Sequence, residues 1–301
     1  MSSRPRPIHD PRRDDCPWCG SKRLRTRLRS PDLRHRRPGT FVVDECRDCA
    51  HAFQNPRLTP EGLDLYDVQG AVPFSRRRLL ATARTMLPFP EPESWLDVGT
   101  GDAAFPRAAR ELFTYTAFDG VDPTPRVERA RAAGRLDEAH VGHLPNLLPR
   151  LRARYDVVSM LHHLEHTRDP RAELTAALTA LRPGGHLLLE LPDPTSAFAT
   201  VLGKWWHPHD QPRHLHLIPL PNLRAELVAR GCEIVATDRR TPHTPRDLST
   251  AATLYLNRTP LRRAAPPAIM FATALDHLLS PALSRTRFSN AYRLIARKQR
   301  T

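Results

Sequence analysis

The spacing of apolar positions divides the middle of the chain into short buried strands and amphipathic helices. Apolar runs at 95–98, 115–121 and 155–160 have the length of strands that are buried on both faces. Between them, residues 103–113 and 126–134 repeat apolar positions at helical spacing. Strands that alternate with helices are typical of a parallel sheet. The pattern therefore predicts an α/β fold.

A glycine turn follows the first of these strands. Gly99 and Gly101 come directly after the apolar run, and Asp122 closes the next run about 20 residues later. Glycines let backbone N–H groups approach a ligand closely, and an acid at this distance accepts both hydroxyls of a ribose. The segment therefore predicts half of a nucleotide-binding unit.

Asp97 indicates which of two ligand classes the glycine turn would bind. The spacing Gly99-Thr100-Gly101 fits a dinucleotide site, but a carboxylate two residues before the first glycine repels a pyrophosphate. The same carboxylate attracts a ligand that carries an ammonium and a sulfonium. With Asp97, both glycines and Ala103 in place of a third glycine, the segment resembles the first motif of the class I S-adenosylmethionine-dependent methyltransferases.

This resemblance implies a seven-stranded Rossmann-like methyltransferase sheet whose last strand is antiparallel, for which residues 291–298 are the candidate. It also implies that S-adenosyl-L-methionine is the cofactor. Residues 161–170 resemble the segment that follows strand four in the same family. The cofactor contacts that the resemblance implies lie at the ends of four strands: Asp97, Gly99, Thr100, Gly101, Asp122, His143, Leu144, Met160 and His162.

Two Cys-x2-Cys pairs, Cys16 with Cys19 and Cys46 with Cys49, precede this fold. Four thiolates at such spacing close a tetrahedral zinc site. Two disulfides would need an oxidising compartment, and no targeting sequence directs the chain to one. Because sulfur fills all four positions, the predicted zinc is structural. The fifth cysteine, Cys232, lies in a predicted strand, where we expect a buried thiol.

The junction after the second cysteine pair carries another resemblance. Residues 55–63 resemble the segment that joins a four-cysteine zinc ribbon to the catalytic domain of bacterial natural-product and sugar C-methyltransferases. The sugar reaction is less favoured, because no tyrosine accompanies the histidines after strand five. We expect a disordered tail at 1–15 and a zinc ribbon at 16–57. A class I methyltransferase domain should follow at 58–244 and 286–301. Residues 245–285 should form a helical insertion that is a lid, a dimer surface or a partner surface.

Histidines concentrate in two loops at the carboxyl edge of the predicted sheet. Residues 205–216 contain four histidines and two tryptophans, and residues 161–170 contain three histidines. Histidine titrates near neutral pH and can take a proton from an acceptor, so His214, and after it His166, are the candidate catalytic bases. Two alternatives stay open: histidines that only pin the loop by hydrogen bonds, and a second metal site at His214 and His216.

Composition limits the partners. The 301 residues carry 46 Lys and Arg against 32 Asp and Glu, and the formal charge of +14 suggests an acidic partner. A GC-rich genome imposes a similar excess of arginine, alanine and proline. The polar, proline-rich start does not resemble a signal peptide, and the longest apolar run, 264–275, is too short to span a bilayer. We expect a cytoplasmic protein with no membrane span.

These features favour methyl transfer to a small-molecule, biosynthetic acceptor with histidine-assisted deprotonation. The main alternative is a zinc-ribbon RNA methyltransferase whose arginines hold phosphates, but the ribbon has few aromatic residues for base stacking. A NAD-dependent oxidoreductase is opposed by Asp97, and a non-catalytic adaptor by the intact cofactor motif. The sequence specifies neither the acceptor nor the oligomeric state.

Overall fold

The computed structural model describes residues 7–66, 74–260 and 265–300. The strands are β1 (Leu24–Pro31), β2 (Thr40–Cys46), β3 (Ala52–Gln54), β4 (Ser94–Val98), β5 (Ala117–Asp122), β6 (Ala139–Val141), β7 (Tyr155–Leu161), β8 (Leu181–Pro192), β9 (His216–Leu217), β10 (Cys232–Asp238) and β11 (Ala291–Lys298). The helices are α1 (Pro60–Tyr66), α2 (Arg76–Arg84), α3 (Ala104–Ala109), α4 (Arg126–Ala132), α5 (Leu144–Leu151), α6 (Pro170–Ala180), α7 (Ala197–Val201), α8 (Leu220–Ala229), α9 (Asp247–Leu256) and α10 (Ala265–Leu283).

The chain forms two compact units, and each is assembled from several segments. The first unit consists of Met1–Gln69, Pro192–Asn222 and His243–Ala291. The second consists of Gly70–Leu191, Leu223–Pro242 and Tyr292–Thr301. The stretch after β8 therefore belongs with the N-terminal segment, a division that the order of motifs along the chain does not indicate.

A seven-stranded sheet forms the centre of the second unit, in the order β10-β11-β8-β7-β4-β5-β6. The neighbours from β8 to β6 pair in parallel, whereas β10 and β11 pair antiparallel. This is the predicted Rossmann-like sheet with 291–298 as its antiparallel strand, so the prediction of the fold class is confirmed.

Aromatic packing explains why the first predicted strand lies at the centre of this sheet. The ring of Trp95 in β4 is completely buried and contacts Phe105, Phe113 and Phe118, with ring centroids 5.5–5.6 Å apart. These phenylalanines come from α3, from the residues after it and from β5. Burying such rings is strongly favourable, so the apolar positions dock the helix onto the sheet and bring the carboxyl ends of the strands to one edge.

A four-stranded antiparallel sheet in the first unit has the order β1-β2-β3-β9. Its first three strands form the predicted N-terminal ribbon. The fourth, β9, pairs with β3 through Ala52 opposite Leu217 and Phe53 opposite His216. A strand of two residues has no periodicity, which is why the sequence gives no sign that the histidine-rich loop completes this sheet.

Residues 7–15 are held to the same sheet, although the sequence predicts a disordered tail over 1–15. The guanidinium of Arg12 lies 2.6 Å from the buried carboxylate of Asp44, and the neighbouring residues add a backbone bridge and a further hydrogen bond. The ordering depends on polar contacts that a hydropathy pattern does not detect. The remainder of the predicted tail, residues 1–6, lies outside the described residues.

The predicted insertion at 245–285 is helical, as α9 and α10. The two helices pack against each other, and the buried carboxylate of Asp276 in α10 accepts the N–H groups of Leu248 and Ser249 at 3.0 and 2.8 Å. A carboxylate is stabilising at this helix N-terminus, because it satisfies N–H groups that lack partners within the helix. Neither α10 nor another helix in the described ranges is long and apolar enough to cross a membrane.

Candidate active site

A tight turn joins β4 to α3. Gly99 has a φ of +73°, and a Cβ at this position would lie 2.5 Å from Nδ1 of His163. A larger residue would therefore collide with the imidazole. The N–H groups of Gly99 and Thr100 donate to the carbonyl of Val121 at 2.8 and 3.1 Å and fix the turn to β5. Ala103, in place of a third glycine, still has a positive φ of 54°.

Asp122 ends β5 beside this turn. One carboxylate oxygen accepts the N–H of Gly101 at 2.9 Å, and the other accepts the N–H of Thr124 at 2.9 Å. The residue is only 4% exposed. The carboxylate is therefore held in one orientation at the carboxyl edge of the sheet, the position from which the motif spacing predicts contact with ribose hydroxyls.

Asp97 is buried within β4, with 4% of its surface exposed. Its Oδ1 accepts the hydroxyl of Ser159 at 2.6 Å, and Ser159 in turn accepts Nε1–H of Trp95 at 3.0 Å. Burial raises the pKa of Asp97 to about 6, against the lowering effect of the hydrogen bonds. A cationic ligand group close to this carboxyl would stabilise its ionised form.

The remaining predicted cofactor residues follow β6 and β7. His143 is exposed and immediately precedes α5, whose first residue, Leu144, is buried. Met160 is completely buried inside β7 and presents no surface in this conformation. His162 comes directly after β7. The structure thus collects the nine residues along the carboxyl ends of β7, β4, β5 and β6, with Met160 beneath the surface.

A family model described as a methyltransferase domain matches residues 74–237, which is more than half of the chain. The chain belongs to this family. It is an S-adenosylmethionine-dependent methyltransferase of class I, and the matched segment contains every one of the nine residues at the sheet edge.

Individual relatives are more distant. The ubiquinone biosynthesis O-methyltransferase of Idiomarina loihiensis is 34% identical over 95 residues, which are 31% of this chain and 39% of that relative. The chain therefore matches well under two thirds of the relative's length. A chain in the complex between the Haloferax volcanii Trm112 methyltransferase activator and a methyltransferase is 20% identical, with a TM-score of 0.50 over 74% of this chain and 91% of that chain. A methyltransferase from Archaeoglobus fulgidus is 18% identical, with a TM-score of 0.48 over 74% and 95%. At 20% identity, the likeness to the chain in the Haloferax volcanii complex shows the fold alone.

The residues of the methyltransferase edge fit the cofactor that the family implies. The backbone at Gly99 is bare, because a Cβ there would collide with His163. A positive charge beside the buried carboxyl of Asp97 would lower its raised pKa and stabilise the ionised form. Asp122 presents an oriented acceptor. The oriented carboxylate of Asp122 fits a ribose, and the exposed backbone of the Gly99 turn fits a nucleoside. The buried carboxyl of Asp97 fits the ammonium of an amino acid.

The methyltransferase also has a charged cluster after β7, of which the sequence motifs predict only His162 as a site residue. His162, with a φ of +54°, places Nδ1 3.0 Å from Glu165 and Nε2 3.3 Å from Glu190. Burial disfavours the protonated ring, but the two carboxylates outweigh burial and raise the pKa of His162. The two carboxylates therefore favour the protonated ring, which makes His162 a poor candidate for a general base.

Glu190 in β8 binds two arginines at once. Arg293, in β11, donates through Nε and Nη2 at 3.1 and 2.7 Å, and Arg78 of α2 forms a second ion pair. Burial opposes ionisation of Glu190, yet the hydrogen bonds and positive charges around it hold its pKa well below the usual range. The sequence does carry a sign of this cluster, because Glu190 interrupts the apolar run at 187–192 and Arg293 the apolar run at 291–296.

The two candidate bases differ in their surroundings. His166, in the second unit, is exposed at the end of a 3-10 turn over Leu164–His166. His214, in the first unit, is 8% exposed, and its Nδ1 lies 2.6 Å from the carbonyl oxygen of Pro208. A carbonyl only accepts hydrogen bonds, so Nδ1 carries the proton. Nε2 is then the basic nitrogen of the neutral His214 ring.

Other residues of the loop at 205–216 hold it in place. Nδ1 of His209 lies 2.7 Å from the carbonyl oxygen of Gly203, and burial lowers the pKa of His209 to about 3, so the ring stays neutral. Arg213 pairs with Asp210 at 2.6 Å. His216 lies in β9, which pairs with β3 in the four-stranded sheet. Hydrogen bonds that pin the loop, which the sequence left as an alternative role, are therefore present for His209 and for His214.

The four predicted zinc ligands converge in the first unit. Sγ of Cys16 lies 3.7 Å from that of Cys49, and Sγ of Cys19 lies 3.5 Å from that of Cys46. All four sulfurs are within 4.8 Å of one another. A tetrahedral zinc with Zn–S bonds of about 2.3 Å places its sulfurs roughly 3.8 Å apart, whereas a disulfide needs about 2.05 Å. The cluster is compatible with a metal ion and too open for disulfides.

Proposed function

We propose that this methyltransferase methylates a small-molecule acceptor and that a histidine removes the acceptor's proton. The observation that carries the proposal is the hydrogen bond from Nδ1–H of His214 to the carbonyl of Pro208, because in a neutral ring this tautomer puts the basic lone pair on Nε2. His166, exposed after strand β7, is the second candidate. A biosynthetic hydroxyl compound or carbon acid is the acceptor class that needs such a base.

We assign the cofactor contacts to the edge residues. When bound, S-adenosylmethionine supplies an electrophilic methyl group. Asp122 would accept the ribose hydroxyls, Asp97 would stabilise the cationic amino-acid end, and the backbone from Gly99 to Gly101 would contact the nucleoside. His143 and Leu144 would contact the adenine. His162 belongs to this set through its position directly after β7.

The base acts by position and by tautomer. A neutral imidazole within hydrogen-bonding distance of an acceptor hydroxyl takes its proton at Nε2, while the Pro208 carbonyl continues to accept Nδ1–H and stabilises the resulting imidazolium. General-base assistance of this kind is worth roughly 10²–10⁴ in rate. An amine or carboxylate acceptor would need no base, and these histidines would then serve binding alone.

Titration calorimetry tests the cofactor assignment. We expect S-adenosylmethionine to bind and NAD not to bind, and Asp122→Ala to weaken S-adenosylmethionine binding at least tenfold. Tight binding of NAD, or unchanged affinity in Asp122→Ala, would contradict the assignment. Asp137→Ala, which alters an exposed carboxylate after α4, is the matched control and should bind the cofactor normally.

Turnover tests the base. Release of S-adenosylhomocysteine is measured against a panel of phenols, alcohols, amines, carboxylates and bulk RNA. With a hydroxyl acceptor, His214→Gln or His166→Gln should lower kcat at least 100-fold and leave cofactor affinity nearly unchanged. His207→Gln, in the same loop, is the control. Normal turnover and an unchanged pH profile in both variants would exclude a histidine base.

An RNA acceptor is the second candidate, because the formal charge is +14. The arginines of the ribbon are partly neutralised, however. Arg25 and Arg27 both pair with Glu45, at 2.6 and 3.0 Å, and Arg23 pairs with Asp48 at 2.6 Å. Arginines engaged in ion pairs contribute less to phosphate binding. Turnover on RNA alone, falling steeply with salt, would favour this candidate over the small molecule.

We further propose that Cys16, Cys19, Cys46 and Cys49 hold one structural zinc. The ribbon at 16–57 would then be the metal-stabilised part of the chain, 58–244 with 286–301 the methyltransferase domain, and 245–285 an insertion. Four sulfur ligands leave no open position for a substrate, so the metal would stabilise the fold and take no part in methyl transfer.

A further inference from the structure

Three N–H and O–H groups of the chain already donate to the carboxylate of Asp122. Its Oδ2 accepts the N–H of Gly101 at 2.9 Å, and its Oδ1 accepts both the N–H and the hydroxyl of Thr124. An ionised carboxylate has about four acceptor sites, shared between its two oxygens. One acceptor site of Asp122 therefore remains for a ligand, and it lies on Oδ2.

A ribose presents two neighbouring hydroxyls to this single acceptor site. The motif spacing predicts an acid that accepts both hydroxyls, but a carboxylate that is already bound by three donors can accept only one of them. The other hydroxyl then needs a second partner close to the first. Because a hydroxyl oxygen accepts hydrogen bonds as well as donating one, an N–H donor beside Asp122 would serve.

The guanidinium of Arg126 supplies such a donor. Its Nε donates to the hydroxyl oxygen of Thr124 at 3.1 Å, and Thr124 donates its own hydroxyl to Oδ1 of Asp122. Its Nη1 is 3.9 Å from the position that a Cβ would have on Gly101, the residue whose N–H binds Oδ2. The guanidinium therefore extends from the residue that holds one carboxylate oxygen to the residue that holds the other.

The other N–H groups of Arg126 are available to a ligand. In the described part of the chain, Thr124 is the one hydrogen-bond partner of the Arg126 side chain, and Arg126 is partly exposed. Because Thr124 holds Nε, the Nη groups stay beside the glycine turn, at the edge of the sheet where Asp122 ends β5. An arginine placed in this way donates hydrogen bonds and accepts none.

We propose that Arg126 is a further cofactor-binding residue that shares the ribose with Asp122. One ribose hydroxyl donates to Oδ2 of Asp122, and the neighbouring hydroxyl accepts an N–H of Arg126. Thr124 is the positioning residue, because its hydroxyl binds both side chains. The inference rests on the proposed cofactor contacts, and it makes the site selective for a ligand with two neighbouring hydroxyls.

Calorimetry with S-adenosylhomocysteine and its 2′-deoxy and 3′-deoxy analogues tests this division of the ribose. Wild-type protein should bind each deoxy analogue roughly fivefold or more weakly than the complete ligand. Arg126→Met should weaken binding of the complete ligand about tenfold, because a hydrogen bond from a charged group is lost. The same variant should bind one of the deoxy analogues as well as the wild type does, since the hydroxyl that Arg126 contacts is already missing from it.

A purely structural role of Arg126 predicts a different result. Arg126→Met would then weaken all three ligands by the same factor, and either that outcome or unchanged affinity for the complete ligand would overturn the proposal. Arg129→Met removes an exposed arginine of the same helix, α4, and is the matched control that should bind all three ligands normally. Thr124→Val should weaken binding of the complete ligand, whereas Thr124→Ser, which keeps the hydroxyl, should bind it normally.

The measurements also separate this proposal from the cofactor assignment. Wild-type protein that does not bind S-adenosylhomocysteine, or Asp122→Ala that binds it normally, would overturn both. Weakened binding in Asp122→Ala together with wild-type affinity in Arg126→Met would overturn the role of Arg126 alone.

Discussion

Burial of the Asp97 carboxyl costs stability at neutral pH in the ligand-free chain. With a pKa of about 6 in the folded chain and about 3.9 in the unfolded chain, the folded state keeps its proton longer as the pH rises. Stability therefore decreases from about pH 4 to pH 6. A shift of two pKa units corresponds to about 3 kcal/mol at neutral pH.

We therefore expect Asp97→Asn to stabilise the ligand-free protein by up to about 3 kcal/mol at pH 7, and to weaken S-adenosylmethionine binding at least tenfold. Urea denaturation at pH 4.5 and 7.5, with titration calorimetry, measures both effects. Asp119→Asn removes another buried acid whose pKa burial raises, near the other end of β5, and should leave cofactor affinity unchanged. Wild-type affinity in Asp97→Asn would refute the role of the charge.

The turns that follow the two Cys-x2-Cys pairs allow two matched single-residue substitutions. Gly20 and Ala50 each follow the second cysteine of a Cys-x2-Cys pair, are exposed, and have φ values of +74° and +56°. Each N–H donates to the carbonyl of the first cysteine at 2.9 Å. The left-handed conformation costs a residue with a Cβ about 1 kcal/mol. Ala50→Gly should therefore stabilise the ribbon by about that amount, and Gly20→Ala should destabilise it equally.

Chemical denaturation of the metal-loaded protein distinguishes the two variants. No atom lies within 4 Å of a Cβ built at Gly20, so a loss there reports backbone strain and not a collision. Changes of the same sign in both variants would mean that the turns do not share a conformation in solution.

At the scale of elements, the pairing of β8 with β11 brings Glu190 and Arg293 together in the interior. Removing one partner of a buried ion pair leaves the other charge without compensation, at a cost of about 3 kcal/mol or more. We expect Glu190→Gln to have this effect. Adding Arg293→Gln should recover part of the loss, so that the two effects fall short of additivity by more than about 1 kcal/mol.

A double-mutant cycle measured by urea denaturation checks this coupling. Glu111→Gln, which breaks the exposed ion pair with Arg76, is the control and should change stability little. Strict additivity of the Glu190 and Arg293 substitutions would mean that water solvates the pair. Loss of S-adenosylmethionine binding in folded Glu190→Gln would add a role in holding His162.

The elements differ in how far the sequence could predict them. The strand, glycine turn and acid from Asp97 to Asp122 are recognisable because their chemistry is local and their spacing is set by one βαβ unit. The arginine partners of Glu190 lie 103 and 112 residues away in sequence, so no local pattern connects them. The same holds for β9, whose two residues join a sheet formed by the N-terminus. The tautomer of His214 depends on a carbonyl that only the folded loop supplies.

On the scale of the whole molecule, the segments of the two units alternate along the chain, yet the predicted metal and cofactor residues separate cleanly. All four cysteines of the cluster belong to the first unit, and the nine cofactor residues belong to the second. Loss of the metal should therefore affect the stability of the first unit far more than cofactor affinity. A ribbon that shared residues with the cofactor site would lose both together.

Cys46→Ser tests this separation in the full chain. We expect metal analysis to show one zinc per wild-type chain and none in the variant, with faster hydrogen exchange in β1, β2 and β3. Affinity for S-adenosylmethionine, measured by calorimetry, should change less than about threefold, which is under 1 kcal/mol. Cys232→Ser is the control, because Cys232 lies in β10, outside the cluster, and its zinc content should be normal. A Cys46→Ser variant that keeps its zinc would refute the four-sulfur site, and one that loses cofactor binding would show that the metal supports the methyltransferase sheet as well as the ribbon.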